Sequence, residues 1–130
     1  MKPVVQAFLI ADQVYCDRTT GKKVIAGTFN SIATPSFPIR HDSCTAFLSL
    51  TDVKGDIALQ LQFRNLKTNE VIASFDVEVS ADDPRHTIEG VFPIHGLIFP
   101  VPGVYAADIV YKDEIVGSLR ISAIEAQSSP

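Results

Sequence analysis

Six aspartates occur in segments rich in turn-forming residues, and Ca²⁺ prefers several oxygen ligands from loops of this kind. They form three close pairs, namely Asp12 with Asp17, Asp52 with Asp56, and Asp82 with Asp83. Turns also use aspartate for their own local hydrogen bonds, and this second explanation is the more common one. A calcium-regulated or otherwise metal-regulated domain is therefore an alternative, and it requires these loops to converge at one end of the fold.

Histidine and cysteine are the other residue types that ligate metals, and here they show no ligand spacing. The five side chains are Cys16, Cys44, His41, His86 and His95. None of them forms the Cys-x-x-Cys or His-x-x-x-His pairs with which one element presents zinc ligands. The sequence therefore predicts no zinc site, and we assign no metal-ligating residue.

Residues of the nucleophilic and phosphate-binding types also fail to form a known motif. His41-Asp42-Ser43 are neighbours in the chain, whereas a catalytic triad is assembled from separated positions. The segment at residues 20–23, Thr-Gly-Lys-Lys, lacks the earlier glycine of a phosphate-binding loop, and no Gly-x-Ser-x-Gly elbow occurs. We therefore expect no enzymatic activity, no catalytic residue and no cofactor.

Charge and composition bear on the class of partner. The 130-residue chain carries 11 basic and 15 acidic residues, a net charge of -4, and its basic residues are scattered apart from Lys22-Lys23. No continuous positive face for nucleic acid follows from this pattern. With 46% hydrophobic and 20% charged residues the chain has an ordinary globular balance, which predicts a packed core.

The N-terminal residues and the cysteines bear on cellular location. The apolar run at residues 4–11 is short, contains Gln6 and alternates like a first strand, which disfavours a signal peptide. No run approaches the roughly 20 apolar residues of a membrane-spanning helix. Two cysteines do not make a disulfide-rich secreted scaffold. The sequence alone does not decide whether Cys16 and Cys44 form a disulfide, because this depends on the distance between them. We therefore expect a cytoplasmic protein that does not bind membranes.

Apolar and polar residues alternate along much of the chain, and no segment has a convincing helical stripe. The clearest pair of strands covers residues 57–64 and 71–80, and a second hairpin covers residues 105–123. Eight to nine strands at this spacing favour an all-β fold, a two-sheet antiparallel β-sandwich with an immunoglobulin-like or C2-like Greek key. We expect residues 1–126 to form this single domain and residues 127–130 to be a flexible tail.

The segment before the last hairpin is similar to the tyrosine corner of immunoglobulin-like sandwiches. It reads Pro102-Gly103-Val104-Tyr105, and in such a corner the tyrosine hydrogen-bonds back to the preceding loop. The acidic residue that often lies two positions before the glycine is replaced by Val101. Because tryptophan is absent and the two cysteines lack immunoglobulin spacing, an antibody-type domain is not supported. The motif predicts a structural corner and offers no active site.

Three Phe-Pro pairs form the candidate binding surface, namely Phe37-Pro38, Phe92-Pro93 and Phe99-Pro100. Exposed aromatic residues at the end of a sandwich often recognise partners. The alternative, that these phenylalanines close the ends of the core, is favoured because large apolar side chains are normally buried. An edge strand offers another route, since its unpaired backbone groups are a template for an unknown protein partner or for self-association. No specific activity is identifiable, and we expect a non-enzymatic binding or assembly module.

Five short motifs are spread along most of the chain. They are residues 11–15 (Ala-Asp-Gln-Val-Tyr), 20–22 (Thr-Gly-Lys) and 26–29 (Ala-Gly-Thr-Phe), together with Phe37-Pro38 and the Pro-Gly-Val-Tyr hairpin. Taken together they resemble a family of small uncharacterised bacterial β-sandwich proteins known only as a domain of unknown function. The resemblance implies a compact β-sandwich and a cytoplasmic bacterial origin, and it implies no catalytic or ligand-binding residue.

Overall fold

The computed structural model describes residues 2–126, and its backbone forms nine β-strands joined by turns. In chain order they are β1 (Val4–Cys16), β2 (Lys23–Thr28), β3 (Ser31–Thr34), β4 (Ile39–Thr51), β5 (Gly55–Asn65), β6 (Val71–Ala81), β7 (Ile88–Phe99), β8 (Gly103–Tyr111) and β9 (Glu114–Glu125). No helix within this range is long and apolar enough to cross a membrane. The predicted all-β class is confirmed, and the predicted tail at 127–130 lies outside the described residues.

The strands form two sheets, which we call sheet A and sheet B. Sheet A has four strands in the order β2-β1-β4-β7 and is antiparallel throughout. Sheet B has five strands in the order β3-β9-β8-β5-β6, and its β3–β9 pair is parallel. The prediction of two antiparallel sheets is therefore wrong for sheet B.

The chain crosses from sheet A to sheet B immediately before the parallel pair. β2 ends at Thr28 on the edge of sheet A and β3 begins at Ser31 on the edge of sheet B, so no hairpin reverses the chain between them. β3 runs beside β9 in the same direction, and the amide of Ser122 donates to the Asn30 carbonyl over 2.9 Å at the start of the pair. Two prolines follow β3, where their missing amides cannot extend the ladder.

The core lies between the sheets and is built from the inward-facing half of each alternating strand. Its fully buried members include Tyr105, Phe63, Phe99, Leu50 and Leu59. The ring of Phe99 makes edge-to-face contacts with Phe63 and Tyr105, with centroid separations of 6.4 and 4.9 Å. Such aromatic contacts stabilise a core beyond the area that they bury, and here they join β5, β7 and β8.

The hairpin of β1 and β2 bends back over the outer face of sheet A. In the register of this sheet, Ala7 on β1 pairs with Ser49 on β4, and Ser49 pairs with Glu89 on β7. At the far end of the hairpin, Cys16 on β1 pairs with Lys23 on β2. A straight strand from Ala7 to Cys16 would rise about 30 Å. The ammonium of Lys23 nevertheless lies 3.6 Å from the carboxylate of Glu89. The far end of the hairpin must therefore fold back toward β7.

Burial on the outer face of sheet A agrees with this bend. Phe47 and Ser49 face outward from β4, yet they are only 7% and 8% exposed, and Ala11 on β1 is fully buried. Half-buried apolar residues of the hairpin, including Val24 and Ile25, do not pack against the main core. Part of the outer face of sheet A is therefore buried, whereas Leu9 on the same face is 37% exposed.

Candidate functional site

The first of the predicted calcium loops is an ordinary aspartate turn. The Asp17 carboxylate accepts hydrogen bonds from the amides of Thr19 and Thr20 over 2.8 and 3.0 Å. The backbone hydrogen bonds from Thr20 and Thr19 hold the pKa of the Asp17 carboxyl below its usual value. The Asp12 carboxylate lies instead on β1, against the backbone of Gly27. The structure therefore does not bring Asp12 and Asp17 together as a ligand pair.

The other two predicted loops do meet, but without forming a cation site. The amide of Asp52 donates to the carbonyl of Pro84 over 2.8 Å, which joins the β4–β5 turn to the β6–β7 loop. Asp83 in that loop is held by Arg85 over 2.7 Å, and the side-chain hydrogen bond from Arg85 lowers the pKa of Asp83 to about 2. Within residues 2–126 no three His, Cys, Asp or Glu side chains are grouped so that they could hold a metal ion. The convergence that the calcium alternative requires is thus not shown.

The two cysteines are both free, so the structure shows no Cys16–Cys44 bridge. Cys16 is exposed and Cys44 is buried. Burial, followed by the nearby charge of Asp12, raises the pKa of the Cys44 thiol to about 11. Cys44 is therefore an inert part of the core.

The three histidines lie apart and make different contacts. The ring of His41 lies 5.2 Å from that of Phe29, and its Nε2 is buried without a hydrogen-bond partner. His86 lies 3.9 Å from the Asp83 carboxylate, and His95 is exposed on β7. This separation gives the zinc hypothesis no support.

The tripeptide His41-Asp42-Ser43 does not assemble into a catalytic group. Asp42 is exposed and accepts a hydrogen bond from Arg40 over 3.2 Å, two residues away on the same strand. The other candidate segment, at residues 20–23, lies in the β1–β2 turn, where the amide of Lys22 donates to the Thr20 hydroxyl over 3.2 Å. Both segments make local contacts that an ordinary strand entry and turn require.

The phenylalanines of the three Phe-Pro pairs lie in or against the core, whereas Pro38, Pro93 and Pro100 are exposed. Phe99 is fully buried, while Phe37 and Phe92 are half-buried and pack against the core. The tyrosine corner is formed as its sequence indicates, because the buried Tyr105 hydroxyl donates to the Val101 carbonyl over 2.6 Å. The rings of Phe99 and Tyr105 are therefore closed to a ligand, and Phe37 and Phe92 are only partly exposed.

The outer face of sheet B carries a polar network around the buried Asp108, which the alternation of the sequence does not predict. Asp108 on β8 is only 2% exposed and accepts hydrogen bonds from Arg64 Nε over 2.9 Å and from the Ser118 hydroxyl over 2.7 Å. Arg64 also donates to the Asn69 side chain over 3.0 Å. The only signal in the sequence is an aspartate inside the apolar run at residues 106–110. Both carboxylate oxygens have partners within the protein, so the network links strands rather than offering a free ligand group.

Strand β6 is an edge of sheet B, and the hydrogen-bond pattern shows which of its backbone groups are free. The Leu66 amide donates to the Val104 carbonyl. The backbone amides and carbonyls of even-numbered β5 residues therefore point toward β8, and those of odd-numbered β5 residues point toward β6. In the register of β5 and β6 odd-numbered residues lie opposite each other, as Leu59 and Val77 do. Beyond the register shift at residues 71–73, the even-numbered residues of β6 therefore direct their amides and carbonyls away from the sheet. They are Ser74, Asp76, Glu78 and Ser80.

The side chains of these four residues are exposed on the outer face of sheet B. Two open grooves, of about 430 and 370 Å³, lie on this face and share Ala58 and Glu78. Their other charged lining residues are Asp56 in the first groove, and Asp76, Lys112 and Asp113 in the second. The free edge of β6 is thus bordered by an acidic, grooved surface.

Solved structures with a similar backbone have low sequence identity to this chain. An immunoglobulin-like protein from Pseudomonas aeruginosa is 13% identical, with a TM-score of 0.48 over 95% of this chain and 97% of that protein. A beta-glucosidase from Listeria innocua is 10% identical, with a TM-score of 0.46 over 91% of this chain. One from Kluyveromyces marxianus is 11% identical, with a TM-score of 0.45 over 77%. The chain spans 16% of the length of either enzyme, and neither likeness carries a functional conclusion.

Comparison with sequences gives one positive finding. No curated protein matches the chain. A family profile matches residues 6–124, and it carries the description "Family of unknown function (DUF6941)". This match confirms the resemblance to a domain known only by its unknown function. The chain therefore belongs to the DUF6941 family.

Proposed function

We propose that the chain is a non-enzymatic binding module that adds a strand of a partner protein to the free edge of β6. The observation that carries this proposal is the row of unpaired amides and carbonyls at residues 74, 76, 78 and 80. An extended peptide that pairs with such an edge gains main-chain hydrogen bonds, and its alternate side chains provide specificity. No strand in the described part of the chain pairs with this side of β6.

The other sheet edges are less suited to a partner. β3 has four residues, and β2 has six, with Gly27 at a φ of 76°. β7 is longer but contains Pro93 and Gly96, the latter at a φ of 68°. Short length, proline and local kinks are devices that keep an edge from pairing. β6 has 11 residues, and its sequence VIASFDVEVSA contains none of Pro, Gly, Lys or Arg.

We further propose that residues 1–126 form one domain of the immunoglobulin-like type in the cytoplasm. The hydrogen bond from Tyr105 to Val101 supports the immunoglobulin-like alternative over the C2-like one, because this corner is typical of those sandwiches. One continuous core between the sheets supports a single domain. Free thiols at Cys16 and Cys44 fit a reducing compartment.

Peptide selection tests the proposed edge directly. Peptides that bind the wild-type protein are selected from a displayed library of random ten-residue peptides. Their affinities for the wild type, Ser74→Pro and Ser74→Ala are then compared. Proline at residue 74 removes an amide that bonds to nothing in the sheet, so we expect this variant to fold and to lack one pairing donor. Ser74→Ala is the matched control, since it loses the hydroxyl and keeps the amide. We expect selected peptides to bind Ser74→Ala like the wild type and Ser74→Pro about tenfold more weakly.

Amide hydrogen exchange gives a second measurement on the same complexes. The amides of Asp76 and Glu78 should exchange rapidly in the free protein and slowly with peptide bound, whereas that of Val77 is already protected by β5. Selected peptides that bind Ser74→Pro as tightly as the wild type, or that leave the exchange at Asp76 and Glu78 unchanged, would place binding elsewhere and contradict the proposal. Loss of cooperative urea unfolding in Ser74→Pro would contradict the assignment of its amide as free.

A further inference from the structure

We infer that the strand accepted by β6 carries basic side chains at alternate positions, and that it is not a second copy of this chain. The inference rests on the proposed function and names the chemistry of its partner. Its basis is the acidic outer surface beside the free edge. The experiment must distinguish a basic partner strand from a neutral strand, an acidic strand and a second copy of this chain.

The free backbone groups and the acidic side chains of β6 belong to the same residues. Asp76 and Glu78 direct their amides toward the open edge and their carboxylates onto the outer face of sheet B. A strand that pairs with this edge places one side chain directly opposite each of them, with Cβ atoms about 4.5–5.5 Å apart. Lysine or arginine at those two positions would form cross-strand ion pairs, whereas aspartate or glutamate would be repelled.

The grooves beside Glu78 explain why long basic side chains fit this face. The residue opposite Glu78 on β5 is Ala58, whose small side chain leaves the grooves open on both sides. Carboxylates line both grooves, and Lys112 is the only basic residue among those that line them. A lysine or arginine opposite Glu78 could therefore lay its aliphatic part over Ala58 and direct its charge toward the neighbouring carboxylates.

Pairing of two copies of β6 is disfavoured by the same charges. In an antiparallel pair centred on residue 76, the two Asp76 side chains lie opposite each other. In a pair centred on residue 77, each Asp76 faces a Glu78 of the other copy. Like charges directly opposite each other destabilise a strand pair, and each copy also has a net charge of -4. The self-association considered from the sequence is therefore the weaker use of this edge.

The test uses three soluble ten-residue peptides with capped ends, in which valine alternates with lysine, with threonine or with glutamate. Binding to the full chain is measured by fluorescence anisotropy at low and physiological salt. We expect the Val-Lys peptide to bind most tightly and to weaken with salt. The double variant Asp76→Asn/Glu78→Gln should bind it about 2- to 30-fold more weakly, since each cross-strand pair contributes about 1.4- to 5-fold. It should bind the Val-Thr peptide no more weakly than the wild type does.

A matched control separates local pairing from the overall charge. Asp42→Asn/Glu125→Gln changes the net charge by the same amount, and both of these residues are exposed outside β6. We expect this variant to bind the Val-Lys peptide about as the wild type does. If it loses as much affinity as Asp76→Asn/Glu78→Gln, or if the Val-Thr peptide binds the wild type as tightly as Val-Lys, the inference about basic chemistry is wrong.

Ser74→Pro distinguishes that failure from failure of the proposed function. Binding of every peptide about tenfold more weakly to Ser74→Pro, together with indifference to charge, would leave the edge proposal standing and overturn only the basic partner. Val-Lys binding that is as tight to Ser74→Pro as to the wild type, or no binding of any peptide at millimolar concentration, would contradict both. A concentration-dependent dimer of the wild type that Ser74→Pro abolishes would show that the edge accepts a second copy and would overturn the inference.

Discussion

Removal of the Asp108 carboxylate is expected to destabilise the fold, because this group is buried on the outer face of sheet B and hydrogen-bonded twice. Arg64 and Ser118 both donate to it, over 2.9 and 2.7 Å. Asp108→Ala removes both bonds and leaves the guanidinium of Arg64 with its bond to Asn69. The size of the effect therefore depends on how well water can replace the lost carboxylate.

The exposure of Arg64 sets the magnitude. Breaking a fully buried ion pair costs about 3–5 kcal/mol. The Arg64 side chain is 24% exposed, so water compensates in part, and we expect Asp108→Ala to lower the free energy of unfolding by about 2–3 kcal/mol. For a chain of this length each kcal/mol corresponds to about 4 °C, which gives a fall in Tm of about 8–12 °C. Asp108→Asn keeps the shape and an acceptor and should lose less, about 1–2 kcal/mol.

Urea unfolding followed by far-ultraviolet circular dichroism measures these changes, since the chain has no tryptophan. Ser118→Ala should lose about 1 kcal/mol, the contribution of one hydrogen bond. Asp76→Asn is the control on the same face, and as an exposed substitution it should stay within about 0.5 kcal/mol of the wild type. Asp108→Ala values that match this control would refute the buried, doubly bonded state of Asp108.

Three further predictions concern other parts of the fold. Tyr105→Phe should lose about 1 kcal/mol in the same urea assay, because it deletes only the corner hydrogen bond, and an unchanged midpoint would contradict that bond. A thiol reagent at pH 8 should modify Cys16 in the native protein and Cys44 only after unfolding, since burial raises the pKa of Cys44 to about 11. Rapid modification of both thiols in the native protein would contradict the burial of Cys44. The folded-state pKa of Asp83 is lowered to about 2 from its ordinary 3.8, so its stabilising effect should be present above about pH 4 and lost as the pH falls through 2. NMR titration should find that Arg85→Ala raises this pKa, and an unchanged value would exclude Arg85 as the cause.

Local patterns in the sequence predict the strands and the corner because each depends on neighbouring residues. Leu59, Leu61 and Phe63 alternate with polar residues, and all three are buried. Tyr105 follows a Pro-Gly pair closely, and its hydroxyl reaches back four residues to Val101. In both cases the side chains that decide the structure lie within one hairpin or turn.

Features that depend on the order of strands could not be predicted in this way. The parallel pairing of β3 with β9 and the place of β6 at an edge are set by contacts between distant parts of the chain. Asp108 lies in an apolar run whose alternation predicts an outward, exposed side chain, and Arg64 reaches it from 44 residues away. The free backbone groups of β6 are identified by the register of β5 with β6 and β8, which the sequence does not contain.

Strand β5 connects the hydrogen-bond network at Asp108 to the edge strand β6. Arg64 lies on β5 and binds both Asp108 on β8 and Asn69 in the turn that leads to β6. In the described part of sheet B the only strand paired with β6 is β5, so the edge is held only as firmly as β5 is held. A firmly held edge loses less conformational entropy when a partner strand pairs with it. We therefore expect the buried carboxylate of Asp108 to support the proposed function, because it fixes the strand that holds the binding edge.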